Sequence, residues 1–450
     1  MLSNNPVNLK YLLSSIFIVS ALFKIEAQIN TDSIKNVQSW NFHFQNTDIF
    51  QYHPAFHAKY SGLNSLNPDP EQHLSVTGTL FFGRRLWKGA IAYFNPEISG
   101  GSGFSKTTGI AGFPNGEVYR VSDVNPHIYV ARLFVTQIFP LSNEYKYVKD
   151  DVNQLVQQEP SAYFAIHAGK FSVMDFFDDN QYSHDPRTQF YNWALMGNPA
   201  WDYPANTRGY TYGMVFEFVK PLWVLRLSAV MVPTVANGWV MDPDIKRSSA
   251  EALEFERQYT IGNRTGRIRL ISYLNEARMG NYKDALIWGS NRGVAPEIDS
   301  VQSIGRTKYG FGMNIEQPLS KNSGVFIRAG WNDGHNETWV FTEIDNHISA
   351  GFMCNGASWN RGEDNIGIAQ IVNGLSKDHK DYLEAGGYGF IIGDGALRYG
   401  LECITEIFYS FKFPKIGLWI TPDYQLIINP AYNQDRGPVH ALGLRVHFER

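Results

Sequence analysis

Residues 441–448 read ALGLRVHF, in which Leu442, Leu444, Val446 and Phe448 alternate with Gly443, Arg445 and His447. A strand sends successive side chains to opposite faces, so this segment has one apolar and one polar face. The same period recurs upstream. In 253–261, Leu253, Phe255, Tyr259 and Ile261 oppose Glu254, Glu256, Gln258 and Thr260, with Arg257 the one exception. In 309–316, Tyr309, Phe311, Met313 and Ile315 oppose Gly310, Gly312, Asn314 and Glu316. About sixteen segments of this kind can be marked, near 40–47, 74–83, 89–99, 127–138, 162–172, 209–219, 223–232, 252–261, 266–278, 308–317, 323–333, 339–353, 364–372, 396–412, 416–427 and 438–448. An even number in the mid-teens suits a bacterial membrane barrel, although a soluble sandwich strand alternates in the same way.

The connections separate the two. From the first strand onward they run long, short, long. Short links are 84–88, 220–222, 262–265, 318–322 and 413–415; long ones are 48–73, 100–126, 173–208, 233–251, 279–307 and 373–395. Membrane barrels keep short turns on the periplasmic side and long loops outside, whereas Greek-key crossovers have no reason to hold that rhythm. Two links break it: 139–161 is too long and 334–338 too short.

The N-terminus points to export. Lys10 precedes an apolar run from Tyr11 to Phe23, followed by Lys24, Ile25, Glu26 and Ala27. The run is too short to span a bilayer as a helix and fits a secretory signal peptide cleaved after Ala27, leaving 28–450 as one barrel domain. No cysteine follows the cleavage point, which argues against a lipid anchor. Past the signal no stretch is long and apolar enough for a helical span; the best, Trp223 to Val232, is interrupted by Arg226. With 39 basic against 43 acidic residues, the chain carries no electrostatic footprint for nucleic acid. Its aromatic share of 14% suits interfacial girdles around a wet lumen, and would equally suit a secreted sugar-binding β-protein. Two cysteines, Cys354 and Cys403, are too few for a disulfide scaffold, and whether they pair stays open.

One long connection differs in composition. Residues 173–208, VMDFFDDNQYSHDPRTQFYNWALMGNPAWDYPANTR, are too polar and aromatic for a mere connector. Following the fifth strand, such a loop is placed to fold inward and narrow a wide barrel. An exposed surface loop is the competing reading.

Several stretches together resemble the carbohydrate-selective porins of the OprB family: FHAKYSGLNSL (56–66), YFNPEISGGSGFS (93–105), GIAGFPNGE (109–117), GKFSVMDFFDDNQYSHDPRTQF (169–190), AWDYPANTRGYTYG (200–213), YLEAGGYGFIIGDGALRYGLE (382–402) and TPDYQLIINPAYNQDRGPVHALGLRVHF (421–448). The resemblance spans most of the mature chain and is most specific at its C-terminal end. It implies a sixteen-stranded barrel in the Gram-negative outer membrane and passive diffusion of mono- and small oligosaccharides. A general or other-solute porin is the alternative. The chain departs from the family pattern by ending Phe448-Glu449-Arg450 rather than on an aromatic, and by lacking an extra N-terminal wall-binding module.

A porin needs a lumen whose size and polar groups suit the solute, not a catalyst. Arginines and carboxylates can each meet two neighbouring sugar hydroxyls, while rings cover the apolar sugar faces. The polar strand faces offer Arg267, Arg269, Arg328, Arg398, Glu402, Glu406, Asp423 and Arg445 as lumen candidates; the loop adds Asp175, Asp178, Asp179, Asn180, Asp202 and Arg208. Opposed charges in a barrel wall also serve simply to satisfy each other, so each is weighed against that reading. Expected partners are small carbohydrates and outer-membrane lipid; whether the barrel works alone or as a homo-trimer stays open. No cofactor is expected. Gly387, Gly389 and Gly393 lack nucleotide-loop spacing, and hydrolase motifs are missing. The acidic run from Asp175 to Asp185 lacks the spacing of a calcium-binding helix–loop–helix. Ser376 to Ala385 reads as a short helix, capped by Ser376 and ended at Gly386, decorating a solvated loop.

Overall fold

The computed structural model describes residues 37–118 and 125–450. The expected signal segment, 1–27, lies outside them. Backbone groups exposed to lipid have no water to bond, so a membrane-spanning sheet must close on itself. The sheet here does so, as sixteen antiparallel strands in a closed barrel. They are Trp40–His53 (β1), Glu71–Trp87 (β2), Ala90–Gly101 (β3), His127–Pro140 (β4), Tyr163–Phe171 (β7), Thr211–Lys220 (β8), Trp223–Val230 (β9), Ser249–Ile261 (β10), Arg264–Ala277 (β11), Arg306–Pro318 (β12), Ser323–Asn332 (β13), Asn346–Gly356 (β14), Arg361–Gly374 (β15), Glu402–Phe413 (β16), Leu418–Ile428 (β17) and Val439–Glu449 (β18). Two further strands, Tyr145–Val148 (β5) and Gln157–Pro160 (β6), form a separate hairpin.

Closure is made at the chain's two ends. β1 pairs with β18 from Gln45↔Glu449 to Tyr52↔Leu442. Arg450 continues the ladder, exchanging both backbone bonds with Phe44 at 2.8 and 2.9 Å. Glu449 accepts from the Gln45 amide at 2.9 Å. The two residues beyond Phe448 are thus absorbed into the seam.

The alternation sorts as its chemistry requires. Leu442, Leu444, Leu253, Phe255, Phe311, Ile327, Ile348, Phe352 and Ile368 are exposed on the outside of the wall, while Arg445, His447, Glu254, Asn314 and Glu316 are buried inside. An apolar outer belt is what lipid demands; a secreted sugar-binding protein would carry polar outward faces. At the end with the short turns stand Trp40, Trp87, Trp223, Trp359 and Trp419, an aromatic girdle at the membrane interface.

Several strand boundaries differ from the sequence reading: β1 runs on to His53 rather than ending near 47, β2 spans Glu71–Trp87 rather than 74–83, and two strands begin late. β14 begins at Asn346 rather than near 339, and β16 at Glu402 rather than near 396. Trp339, Val340 and Phe341 imitate a strand in composition, but their backbone N–H groups turn onto the Asp202 carboxylate at 2.8, 2.7 and 3.0 Å. The short link 334–338 is therefore part of a longer loop, 333–345, and the long–short rhythm is regular there. The other exception, 139–161, is real and holds the β5–β6 hairpin.

The long loops cap one end of the barrel. Tyr282–Arg292 (α2) and Lys377–Glu384 (α3) pack together there, a short helix Trp193–Met196 (α1) lying in the loop between β7 and β8. α3 has the expected cap, Ser376 accepting from the His379 N–H at 3.1 Å. It is not solvated decoration, because His379, Tyr382 and Leu383 are buried and Tyr282 stacks on the His379 ring. Cys354 and Cys403 are free, on β14 and β16, with β15 between them.

Candidate functional site: a narrowed lumen

A sixteen-stranded barrel is wide enough to leave an aqueous channel, so whatever enters it sets the pore. The connection between β7 and β8, residues 172–210, lies inside. Burying a loop is costly unless its backbone groups find partners. The barrel wall supplies them with charge. Glu254 accepts from the Asp178 N–H at 2.7 Å, Glu316 from Gln181 at 2.8 Å, and Glu406 from Tyr191 and Asn192 at 2.5 and 3.1 Å. Arginines meet the carbonyls: Arg328 donates to Asp178 and Leu195 at 3.0 and 2.8 Å, and Arg445 to Pro186 and Gln189 at 2.7 and 2.9 Å. Asn198 is seated on two glycines of the wall. A Cβ at Gly312 or Gly330 would stand 2.0 Å from its side-chain amide. The preceding loop, between β3 and β4, is drawn in likewise, its Ala111 and Gly112 N–H groups bonded to Glu402 at 3.0 and 2.7 Å.

These loops fill one side of the lumen. Against β2, β3, β4, β7 and β8 they leave a cavity of 660 Å³. Arg187, Glu97, Arg132 and Arg208 organise it. Arg187, carried on the loop, donates to both Glu117 oxygens at 3.1 Å, to Gln45 and Thr79 at 3.2 and 3.1 Å, and to Glu97 at 3.1 Å. Burial alone would weaken its hold on the proton, but Glu117 and Glu97 keep it charged well above the ordinary arginine value. Asp185 beside it is half-buried, and against the desolvation the Thr188 hydroxyl and the Arg187 N–H and guanidinium hold its carboxyl below the usual range. Glu97 also accepts from Thr79 at 2.6 Å, from Tyr210 at 3.0 Å and from Tyr129. Arg132 grips Asp175 through two bonds of 2.7 and 2.5 Å. The Arg208 guanidinium lies over the Tyr129 ring at 3.9 Å and the Trp239 ring at 4.6 Å, and donates to Ser99 at 2.8 Å. Trp193, Tyr203 and Phe341 form an aromatic wall of the same space, Tyr203 and Phe341 having ring centres 4.4 Å apart.

Of the residues singled out from sequence, Asp175 and Arg208 line this cavity. Arg328, Glu402, Glu406 and Arg445 are buried against loop backbone. Asp178 is buried, 3.2 Å from Arg328. Asn180 is bonded to Asn314 at 2.7 Å, and Asp202 to the loop 339–341 as above. Asp423 is buried and accepts from Gln425 at 3.0 Å. Asp179 stays exposed and faces Arg269 at 3.5 Å, while Arg267 pairs with Glu316 at 2.8 Å. Arg398 precedes β16, exposed on a loop 3.4 Å from Asp435. Three carboxylates of the acidic run are thus each matched to an arginine, Asp175 to Arg132, Asp178 to Arg328 and Asp179 to Arg269, while Asp185 accepts from the Thr188 hydroxyl at 2.7 Å and the Arg187 N–H at 3.0 Å.

Arg132, Arg187, Glu97, Tyr129 and Tyr210 escaped the sequence reading. Arg132 was hidden by a β-bulge. Asn95 pairs with Arg132 and Pro96 with Val130, so Ala131 is an extra residue that switches the alternation. Tyr129 and Arg132 both line the cavity although three residues apart. A proline in β3 was the available signal, since it cannot complete a ladder.

The family match and the OprB structure agree with this architecture. The model of the carbohydrate-selective porin, OprB family, matches residues 80–449. The high-pH structure of Pseudomonas putida OprB is similar with a TM-score of 0.70 at 14% identity, covering 92% of this chain and 94% of that one. The outer-membrane channel DcaP of Acinetobacter baumannii has a TM-score of 0.48 at 10% identity, over 94% and 99% of the two chains. A search of curated proteins finds no match. A closed barrel with an apolar belt, an in-folded loop and a charged, aromatic lumen accords with a family match over most of the chain: this protein belongs to the OprB family of carbohydrate-selective porins and is a multi-pass β-barrel of the Gram-negative outer membrane.

Proposed function

We propose that mono- and small oligosaccharides diffuse passively through the cavity beside loop 172–210, without catalysis, and that Asp175, Arg208, Arg132, Arg187, Tyr129, Tyr210 and Trp193 meet them there. The observation that carries this reading is the pairing of charge around the cavity. Arg132 pairs with Asp175, Arg187 with Glu97 and Glu117, Arg226 with Glu217 and Lys146 with Glu159, and Arg208 and Asp185 add one charge of each sign, which leaves little net field to draw ions. What remains is a dense set of donors and acceptors next to aromatic faces. A hexose presents the complement of both: hydroxyls around its rim and apolar faces above and below. Conduction also requires binding weak enough for release. Guanidinium groups already engaged by carboxylates give that weakness, because a passing hydroxyl can only share their bonds.

The test is flux into proteoliposomes of a hexose and a disaccharide across a concentration series. Flux that saturates only at high concentration, with each sugar slowing the other, supports the reading. Strictly linear flux without competition overturns it.

A further inference from the structure

A barrel turn on the short-link side has no need of twenty residues, yet the link between β4 and β7 carries an entire hairpin, β5–β6. Its ladder runs from Tyr145↔Pro160 to Val148↔Gln157. At the tip, Asp151 and Gln154 exchange both backbone bonds at 3.0 and 3.1 Å. The tip does not hang in the periplasm. Asn41, an inward-facing residue of β1, donates to Asp150 at 3.1 Å and to the Asp151 and Gln154 carbonyls at 3.2 and 2.9 Å. Asn95 of β3 donates to Asn153 at 2.9 Å. Gln38 and Val156 bond each other twice, at 3.1 and 2.8 Å.

Apolar contact explains why the tip stays. Leu155 is fully buried, in one cluster with Ile91, Tyr93 and Phe134 of the inner wall. Apolar side chains facing a water-filled lumen are out of place unless something covers them. Gly83 makes the room, for a Cβ there would stand 2.4 Å from the Leu155 side chain. Val148, Val152, Asn153, Gln154, Gln157 and Glu159 of the hairpin line the same cavity as Asp175, Arg187 and Trp193.

We propose that the hairpin Tyr145–Pro160 is a second selectivity element, a sill on the periplasmic side whose tip, Val152 to Gln154, sets the size of solute that can leave the cavity. This rests on the reading that solute passes through that cavity. The in-folded loop selects at entry by chemistry; the hairpin limits exit by size. Its hold on the wall is fixed hydrogen bonding and a buried leucine, so it acts as a static restriction.

Excision tests it on the full barrel in planar bilayers and in liposome swelling with an oligosaccharide size series. Ser161 donates to the Glu144 carbonyl at 2.7 Å, so joining Glu144 to Ser161 leaves a short turn of ordinary barrel kind. The expected result is higher ion conductance and a size limit raised by one or more sugar units, with preference for sugar over charged solutes retained. A barrel that assembles with conductance and size limit unchanged overturns the proposal. If deleting Gln181 to Trp201 raises conductance in the same assay, the proposed solute path survives that outcome; if it does not, the path falls as well. Should the excised chain fail to assemble, Val152→Cys in a Cys354→Ser, Cys403→Ser background reads the same point. A bulky thiol reagent added from the periplasmic side is expected to lower conductance, and full labelling without any loss of conductance overturns the proposal.

Discussion

Leu444 and Arg445 are adjacent in sequence and live in different solvents. Leu444 faces lipid, so Leu444→Arg is expected to cost about 2–4 kcal/mol if near mid-membrane, and Phe255→Arg a similar amount. Urea titration of folding into vesicles measures this. Arg445→Leu keeps the outward face and orphans the carbonyls of Pro186 and Gln189, at about 1–3 kcal/mol for each. That cost falls on the loop, so the barrel should still resist unfolding in detergent while its ion conductance becomes larger and noisier. Arg208→Ala removes a cation held between two rings, an interaction of about 0.5–2 kcal/mol, and should change sugar flux more than conductance. Glu337, in the outer cap, accepts from the Gly280 N–H at 2.5 Å and from Gln302 at 2.9 Å. Burial pushes its carboxyl up to about 8 from an ordinary 4.5. The docked cap therefore holds a proton that an undocked one would release. Its stability from this group is full below 4.5 and is lost as pH rises toward 8. Hydrogen exchange in 278–305 should quicken across that range, and Glu337→Gln should flatten the profile.

Sixteen strands could be read from period-two alternation because each has lipid on one side and polar partners on the other. What alternation cannot report is where a loop re-enters the barrel. Glu406 and Arg445 read as lumen residues and are inward-facing, but loop backbone stands between them and the cavity. Period two also fails at a bulge, which is how Arg132 was lost, and in a loop such as 339–341 whose rings are apolar without being strand. Composition did mark loop 172–210, through its mixture of charges and rings. Deleting Gln181 to Trp201 should raise ion conductance and abolish the preference for sugar. The wall would keep Glu316, Glu406 and Arg445 without their loop backbone partners and exposed to water instead, while Arg328 would lose Leu195 but keep Asp178. Conductance and preference both unchanged would move the constriction to the barrel wall.

A closed sheet with an apolar belt and two inward-folded elements makes, as proposed, one channel with a chemical filter above and a restriction below. The purified protein should be β-rich, require detergent and migrate anomalously on gels unless boiled. If arginines and carboxylates that balance one another beside aromatic rings set its selectivity, as proposed, it should favour neutral polyhydroxylated solutes over charged ones. Liposome swelling with sugars, amino acids and salts matched in size tests this most directly. Faster entry of the sugars, with charged solutes of equal size lagging, is the predicted result. Equal rates for all three classes, or faster entry of ions, would contradict it.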